Sequence, residues 1–183
     1  IQTYTKHQEA KIVEIEEKII ALKSEYIPIR FQVTDRTDSS IEVSVKFMFS
    51  SGEDGITKKY ILEGKELHFD FFQIPLTKDT SRYCIVPYRI YTDRIAPKDG
   101  QSLLTPVLMN GSVPMCYSEN NFHKKDIANI TKSISELKEG QYVSDKHAFG
   151  SVVHDNTGIS SYKTGSIYRI ISRTSGGIEV IEE

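Results

Sequence analysis

Two runs of alternating residues between positions 29 and 49 constrain the fold most strongly. Their apolar members are Ile29, Phe31 and Val33 in the first run, and Ile41, Val43, Val45, Phe47 and Phe49 in the second. Because successive side chains of a strand point to opposite faces, each run turns an apolar row toward a core and a mostly polar row toward water. The polar segment 35–40 separates the runs. We therefore predict two neighbouring antiparallel strands.

Strand patterns continue along the rest of the chain. Extended segments are predicted at 56–62, 66–74, 82–92, 149–153, 159–162, 166–172 and 178–181. Two short apolar pieces, 103–109 and 113–117, flank Asn110-Gly111, which is a hairpin-turn signal. Pro87 predicts an edge or a bulge in its strand, because proline has no N–H to donate to a neighbour.

An amphipathic helix is predicted from Lys6 to Tyr26. The chain has no glycine or proline there, and apolar residues recur at heptad spacing: Ile12, Ile15, Ile19, Leu22 and Tyr26. Pro28 is expected to end the helix. The helix either packs on the sheet or pairs with a second copy as a coiled-coil stem. We accordingly expect residues 1–26 to form a helix or stem and 27–183 a β-rich domain, with a subdivision near residue 96 as an alternative.

A second helix is predicted from Asp126 to Lys138. Its apolar stripe consists of Ile127, Ile130, Ile134 and Leu137. Asp126 is the expected N-cap and Gly140 the expected stop. The triplet 129–131 fits a glycosylation sequon, which inside such a helix indicates coincidence. Strands lie before and after this helix, so we predict an α+β fold with mainly antiparallel strands, in a sandwich or in one curled sheet.

The charge and the hydropathy of the chain disfavour a nucleic-acid partner and insertion into a membrane. The chain has 23 Lys and Arg against 25 Asp and Glu, a net charge of −2. Without a basic field to neutralise phosphates, a nucleic-acid partner is disfavoured. The doublets Lys58-Lys59 and Lys124-Lys125 are expected to be solvated surface. No apolar run approaches the roughly 20 residues of a membrane-spanning helix, so we expect no membrane insertion by these residues.

The two cysteines, Cys84 and Cys116, have neither CxxC spacing nor a zinc-type His/Cys cluster beside them. The apolar neighbours of Cys84 favour a buried, unreactive thiol. A disulfide between the two cysteines is the alternative, and it would indicate an oxidising compartment. Catalysis by Cys116 with His123 as the base is the interpretation that the sequence favours least.

Glu66, His68 and Asp70 are the most enzyme-like cluster. At two-residue spacing in a strand they share one face, about 7 Å apart, and two of them could hold a divalent metal with help from elsewhere. A polar row facing solvent, opposite Leu67, Phe69 and Phe71, explains the same pattern and is favoured.

A second group comprises Asp145, His147, His154 and Asp155. If these residues form a site, it is a His/Asp metal or general-base site. The histidines are seven residues apart, a spacing that matches no zinc motif with a mechanical rationale. Loop histidines beside a short strand are the favoured interpretation.

Tyrosines and arginines alternate around the strand at 82–92: Tyr83, Tyr88 and Tyr91 lie near Arg82, Arg89 and Arg94. Aromatic residues beside arginine are typical of interface anchors. Tyrosine is also common in ordinary strands, which is the favoured explanation.

No catalytic set, metal site or cofactor is assigned from the sequence. A heptad-like helix followed by a β-rich domain is similar in architecture to bacterial envelope proteins with an N-terminal anchor and a short stem. We therefore expect a non-enzymatic, extracytoplasmic module that binds a protein or envelope component, tethered by a segment preceding Ile1, with a homodimer through the N-terminal helix as one arrangement. A small metal-dependent or Cys/His hydrolase and a cytoplasmic structural or assembly subunit are the alternatives.

Overall fold

The computed structural model describes residues 2–22, 25–76, 82–109, 111, 113–118, 122–139, 151–154 and 162–183, with the backbone alone for 2, 16–22 and 151–154. The helices are α1 (Gln2–Leu22), α2 (Leu104–Leu108) and α3 (Lys124–Lys138), and Pro97–Asp99 form a 3₁₀ turn. The strands are β1 (Glu25–Arg36), β2 (Ser40–Met48), β3 (Asp54–Glu63), β4 (Leu67–Pro75), β5 (Tyr83–Thr92), β6 (Gln101–Ser102), β7 (Ser151–His154), β8 (Ile167–Arg173) and β9 (Ile178–Glu182).

The strands form two sheets. The five-stranded sheet has the order β3-β2-β1-β8-β9, and the four-stranded sheet has the order β6-β5-β4-β7. Neighbouring strands in both sheets are antiparallel. The predicted α+β class with mainly antiparallel strands, an N-terminal helix and one further helix is therefore confirmed, in its sandwich-like form.

The core lies between the two sheets. Phe31 of β1 contacts Phe69 of β4 with ring centroids 5.0 Å apart. Phe49 is the exception among the eight apolar residues predicted for the two rows, and the other seven are buried: Ile29, Phe31, Val33, Ile41, Val43, Val45 and Phe47. The two rows lie opposite each other across the strand pair: Phe31 is opposite Val45, and Val33 is opposite Val43. Alternation thus identified the two strands and their buried face.

The predicted first helix is wrong at its C-terminal end. Helix α1 ends at Leu22, and Tyr26 is a buried residue of β1 instead of a heptad position. The Ile27-Pro28 pair explains the difference, because a residue before proline is driven into the extended region. Ile12 and Ile15 are 54% and 56% exposed, so packing on the sheet is not found for these two residues.

The predicted hairpin around Asn110-Gly111 is also wrong. Residues 104–108 form the short helix α2, and Met109 takes the left-handed conformation (φ 45°) at its end. Pro106 lies in the first turn of this helix, where a missing N–H costs no intrahelical bond. Residues 113–118 contain no strand.

Helix α3 confirms the predicted second helix but begins two residues earlier. Its N-cap is His123, and Asp126 lies buried in the first turn instead of capping it. A carboxylate is favourable there because the first turn carries the positive end of the helix dipole. Gly140 lies outside the described residues.

Candidate functional site

A cleft of about 530 Å³ opens at one end of the five-stranded sheet, between cations of the outer face and residues at the edge of the core. We call it the Arg169 cleft. It is lined by Glu25, Tyr26, Ile27 and Arg30 of β1; Met48 and Phe49 with the turn 50–52; Cys116; Arg169 and Ile171 of β8; and Glu183. Ligand pockets commonly occupy about 300–1,000 Å³ and combine apolar walls with a few polar groups. The Arg169 cleft has both properties.

A bulge in β1 builds one wall of the cleft. The pairing of β1 with β8 shifts register between Tyr26 and Ile29. Pro28 lies inside the shift, where a residue without an N–H fits. The inserted residue reverses the alternation, so that Tyr26 is buried while Ile27 reaches the surface of the cleft. Burial raises the pKa of Tyr26 to about 12, so this phenol stays protonated.

A second bulge builds the opposite wall. The pairing of β2 with β3 shifts register between Lys46 and Met48. Met48 is 4% exposed and Phe49 is 36% exposed, the reverse of the predicted alternation, which is wrong at these two residues. A turn follows, in which the N–H of Gly52 donates to the carbonyl of Phe49 (3.0 Å) and Gly52 has a φ of 83°. The extra residue of this bulge lies in β3, and beside it Phe49 is exposed at the cleft.

Three cations form a row across the outer face of the sheet. Arg30 on β1 lies directly opposite Lys46 on β2 and also opposite Arg169 on β8. Like charges directly opposite each other in a sheet are destabilising unless other charges compensate them. The row therefore implies nearby carboxylates.

Two carboxylates neutralise part of this row. Glu183 accepts a 2.9 Å hydrogen bond from Nε of Arg30 and a second from its Nη2, and the hydrogen bonds from Arg30 lower the pKa of Glu183. Asp54 accepts a 2.7 Å hydrogen bond from Nζ of Lys46, which lowers the pKa of Asp54. Arg169 has no ion pair of this kind among the described residues, although its charge also lowers the pKa of Glu183.

The Glu66, His68 and Asp70 cluster lies on the other sheet. Asp70 is 2% exposed and accepts a hydrogen bond from the hydroxyl of Tyr91 (2.9 Å). The predicted solvent-facing row is therefore wrong at Asp70. A bulge in the pairing of β4 with β5 lies between Asp70 and Phe71, and Phe71 is opposite Pro87, which confirms the irregularity predicted from that proline.

His68 remains at the edge of a second, open cleft of about 440 Å³. Its ring stacks on Tyr91 with centroids 5.4 Å apart, and its Nε2 lies 3.9 Å from Oε2 of Glu66. The described residues contain no group of three or more His, Cys, Asp or Glu side chains that could hold a metal ion. The cluster is thus a packed polar patch in this part of the chain.

The second predicted group is described only in part. Asp145, His147 and Asp155 lie outside the described residues. His154 ends β7, and its backbone position pairs with Asp70 of β4. Residues directly opposite in an antiparallel pair share a face, so the fold brings one position from each predicted group to one region of the four-stranded sheet.

The tyrosine and arginine cluster is largely internal. Tyr88 and Tyr91 are buried, as expected for ordinary strand residues. The guanidinium of Arg89 lies 4.5 Å from the ring centre of Tyr88 and donates to its hydroxyl at 2.9 Å. Arg94 lies 3.7 Å from a carboxylate oxygen of Glu63. These contacts occupy three of the six candidates for interface anchors, Tyr88, Arg89 and Arg94.

Both cysteines are buried and present as free thiols, so the disulfide alternative is not found. Burial raises the pKa of Cys84 well above its usual value, and nearby Cys116 adds to the effect. The hydroxyl of Tyr117 donates to the carbonyl of Ile85 at 3.1 Å beside this cluster. A protonated, buried thiol is a poor nucleophile.

The Cys84 thiol should not react in the folded protein. In a Cys116→Ser variant we expect Cys84 to be modified by a thiol reagent such as 5,5′-dithiobis(2-nitrobenzoate) at least about a hundredfold more slowly than in 6 M guanidinium chloride, because reaction requires transient opening of the core. Stopped-flow absorbance measures both rates. Labelling of Cys84 at the rate of the unfolded chain would contradict its burial.

Sequence reasoning did not single out Arg30 or Arg169. Arg30 stood on the predicted polar face of its strand, and Arg169 lay within the predicted segment 166–172. The pairing of β1 with β8 brings them together, and that pairing joins distant parts of the chain. The available signal was a cation on the polar face of each strand, at Arg30 and Arg169.

The fold and the cleft define a class: an antiparallel two-sheet α+β protein with an arginine-lined cleft on the outer face of its larger sheet. Comparisons with models of protein families, with curated proteins and with solved structures found no match. Within the described residues, no helix has the length and apolar character needed to cross a membrane.

Proposed function

We propose that this protein is a non-enzymatic binding module that recognises a segment of another protein in the Arg169 cleft. The observation that carries the proposal is the combination of exposed apolar walls, Ile27 and Phe49, with the guanidinium groups of Arg30 and Arg169 in one cavity. Exposed apolar surface bordered by cations gives a partner both buried area and orientation.

A selection of random peptides displayed on phage tests this function. We expect enriched peptides to bind the purified protein and to lose at least tenfold in affinity with Phe49→Asp, which places a charge on the apolar wall. The matched control is Ile61→Asp. Ile61 is 70% exposed on β3 and does not line the cleft. Peptides that bind both variants as well as the wild type, or a selection that enriches none, would overturn the proposal.

The proposal includes an extracytoplasmic, envelope location, reached through a tether before residue 1. Its support is the order of a helix with heptad spacing followed directly by β1 of the β-rich domain. Fractionation of cells that express the full-length gene tests it. Recovery of the protein in the cytoplasmic fraction would favour the structural or assembly subunit instead.

The proposal also includes self-association through α1. Ile12, Val13 and Ile15 are more than half exposed on this helix, and Ile12 and Ile15 occupy a and d heptad positions. An exposed apolar stripe at this spacing is typical of a helix that pairs with a second copy. Two heptads predict a weak, concentration-dependent dimer.

Sedimentation equilibrium tests the dimer. We expect Ile15→Lys to weaken self-association at least about tenfold, because it places like charges across the seam. Ala10→Lys is the matched control, since it adds the same charge on the opposite side of the helix. A wild-type protein that stays monomeric at millimolar concentration, or equal effects of the two variants, would rule out this role of α1.

A hydrolase is the second candidate. The observation that favours it is the pairing of Asp70 on β4 with His154 on β7, two residues along β4 from His68. Equilibrium dialysis with Zn²⁺ or Mn²⁺ separates it from the binding module. The hydrolase requires stoichiometric metal that is lost in His68→Ala or His147→Ala. On the binding-module proposal, neither substitution changes metal content.

A further inference from the structure

Arg169 stands out among the cations of the outer sheet face. It lines the cleft and lies directly opposite Arg30 in the sheet. Arg30 and Lys46 each have a carboxylate partner within 4 Å, whereas Arg169 has none in the described part of the chain. A second positive charge has therefore been placed beside Arg30 without an ion-pair partner of its own.

The carboxylates that also line the cleft are occupied by other arginines. Glu183 is held by two hydrogen bonds from Arg30. Glu25 accepts a 3.0 Å hydrogen bond from Nε of Arg173, whose Nη2 also donates to Glu179. The cleft therefore has one guanidinium that no carboxylate engages directly.

One nitrogen of this guanidinium, Nε of Arg169, is buried away from water and has no hydrogen-bond acceptor in the described structure. Buried donors in folded proteins are nearly always hydrogen-bonded, and a donor that is not calls for an explanation such as a ligand. A ligand in the cleft with a hydrogen-bond acceptor would supply the hydrogen bond that Nε of Arg169 lacks.

We propose that Arg169 is the anchor for a carboxylate, supplied by an acidic side chain in an extended segment of the partner protein. This assignment rests on the function proposed above and names the chemistry that the cleft recognises. The planar guanidinium matches a carboxylate in a two-pronged arrangement. Apolar side chains two residues before and two residues after the acidic residue point to the same side of an extended segment, and they pack against Ile27 and Phe49, which line the same cleft.

The surroundings of Arg169 favour a carboxylate over a phosphate. A phosphate group carries nearly two negative charges at pH 7 and is typically bound by several cations. Here one guanidinium lacks an ion-pair partner, while Glu25 and Glu183 line the same cavity and would repel a dianion. A single negative charge balances the cleft better.

Three matched peptide pools test the assignment. Each carries fluorescein on its N-terminus and an amide at its C-terminus, with the pattern Φ-Ser-Z-Ser-Φ, where Φ is an equal mixture of Leu, Phe and Tyr and shares one face with Z in an extended chain. Z is glutamate, glutamine or phosphoserine. Fluorescence anisotropy gives the affinity of each pool for the wild-type chain, for Arg169→Gln and for Lys59→Gln. Lys59 supplies the control, since it is a cation on the same face that is paired with Glu42 and does not line the cleft.

We expect the glutamate pool to bind the wild type about tenfold more tightly than the glutamine pool, because a charge-assisted hydrogen bond is stronger than a neutral one. Arg169→Gln should abolish this preference and Lys59→Gln should keep it. Equal binding of the two pools to the wild type, a preference that survives Arg169→Gln, or tighter binding of the phosphoserine pool would overturn the carboxylate assignment while leaving the cleft as a binding site. Failure of every pool to bind would overturn the proposed function as well.

Discussion

Replacing Phe31 with alanine should lower the free energy of unfolding by about 3–5 kcal/mol, the usual cost of removing a buried phenylalanine. Phe31 is 2% exposed and joins the two sheets through Phe69. It also contacts Tyr162 edge-on with centroids 4.9 Å apart and stacks with Tyr168 at 5.4 Å. Four rings that meet in the core cannot all move to fill the space of one, so a cavity remains.

Equilibrium unfolding in urea, followed by far-ultraviolet circular dichroism, measures this loss. The matched control is Ile61→Ala on the exposed face of the same sheet, where we expect a change within about 0.5 kcal/mol. If Phe31→Ala cost less than about 1 kcal/mol, the site could collapse around the missing ring, and the sheet-to-sheet packing described here would not hold.

The buried position of Phe31 could be predicted from the alternation of apolar and polar residues alone. Alternation identifies which residues share a face, because the side-chain period of a strand is two. It contains no information on bulges. At Tyr26 and Ile27 a residue inserted in β1 reverses the faces, and the faces of Met48 and Phe49 reverse beside a residue inserted in the partner strand β3. Both reversals lie at the cleft, so the pattern fails where the candidate site is built.

Long-range pairing is the second limit. The sequence places Arg30 and Lys46 on polar faces of neighbouring strands, and their proximity follows from the predicted strand pair. Arg169 joins them because β8 pairs with β1, and nothing local to residues 166–172 specifies this neighbour. The sequence therefore places two of the three cations on neighbouring strands, and the register that puts them opposite each other comes from the structure.

Burial of polar residues is the third limit. A strand that reads as alternating is expected to have a solvated polar face, and for Glu66 and His68 the exposure is partial. Asp70 is instead enclosed and bonded to Tyr91, which lies on the next strand. A buried carboxylate needs such a donor, and the sequence gives no indication that Tyr91 supplies it.

Replacing Gly55 with alanine should lower the free energy of unfolding by about 1–3 kcal/mol, the range for overpacking. A Cβ atom at position 55 would lie 2.3 Å from the carbonyl oxygen of Phe47 and 2.1 Å from Cε of Met115. The methionine end can swing away, but the carbonyl belongs to the backbone of β2 beside the bulge. The strand must therefore move, and Phe49 of the cleft wall must move with it.

Gly177→Ala is the matched control, since it is the same chemical change at a position with room for it. A Cβ atom there would meet only side-chain atoms of Arg173, at 3.8 Å and 3.9 Å. We expect this variant to be neutral or stabilised by up to about 1 kcal/mol, because alanine restricts the unfolded chain more than glycine does. Thermal unfolding of both variants measures the difference, and binding of a selected peptide reports on the cleft. Equal stability of Gly55→Ala and Gly177→Ala would mean that β2 and β3 do not approach closely at the bulge. The contact of β3 with the backbone of Phe47 could then not be what fixes this end of β2 beside the cleft.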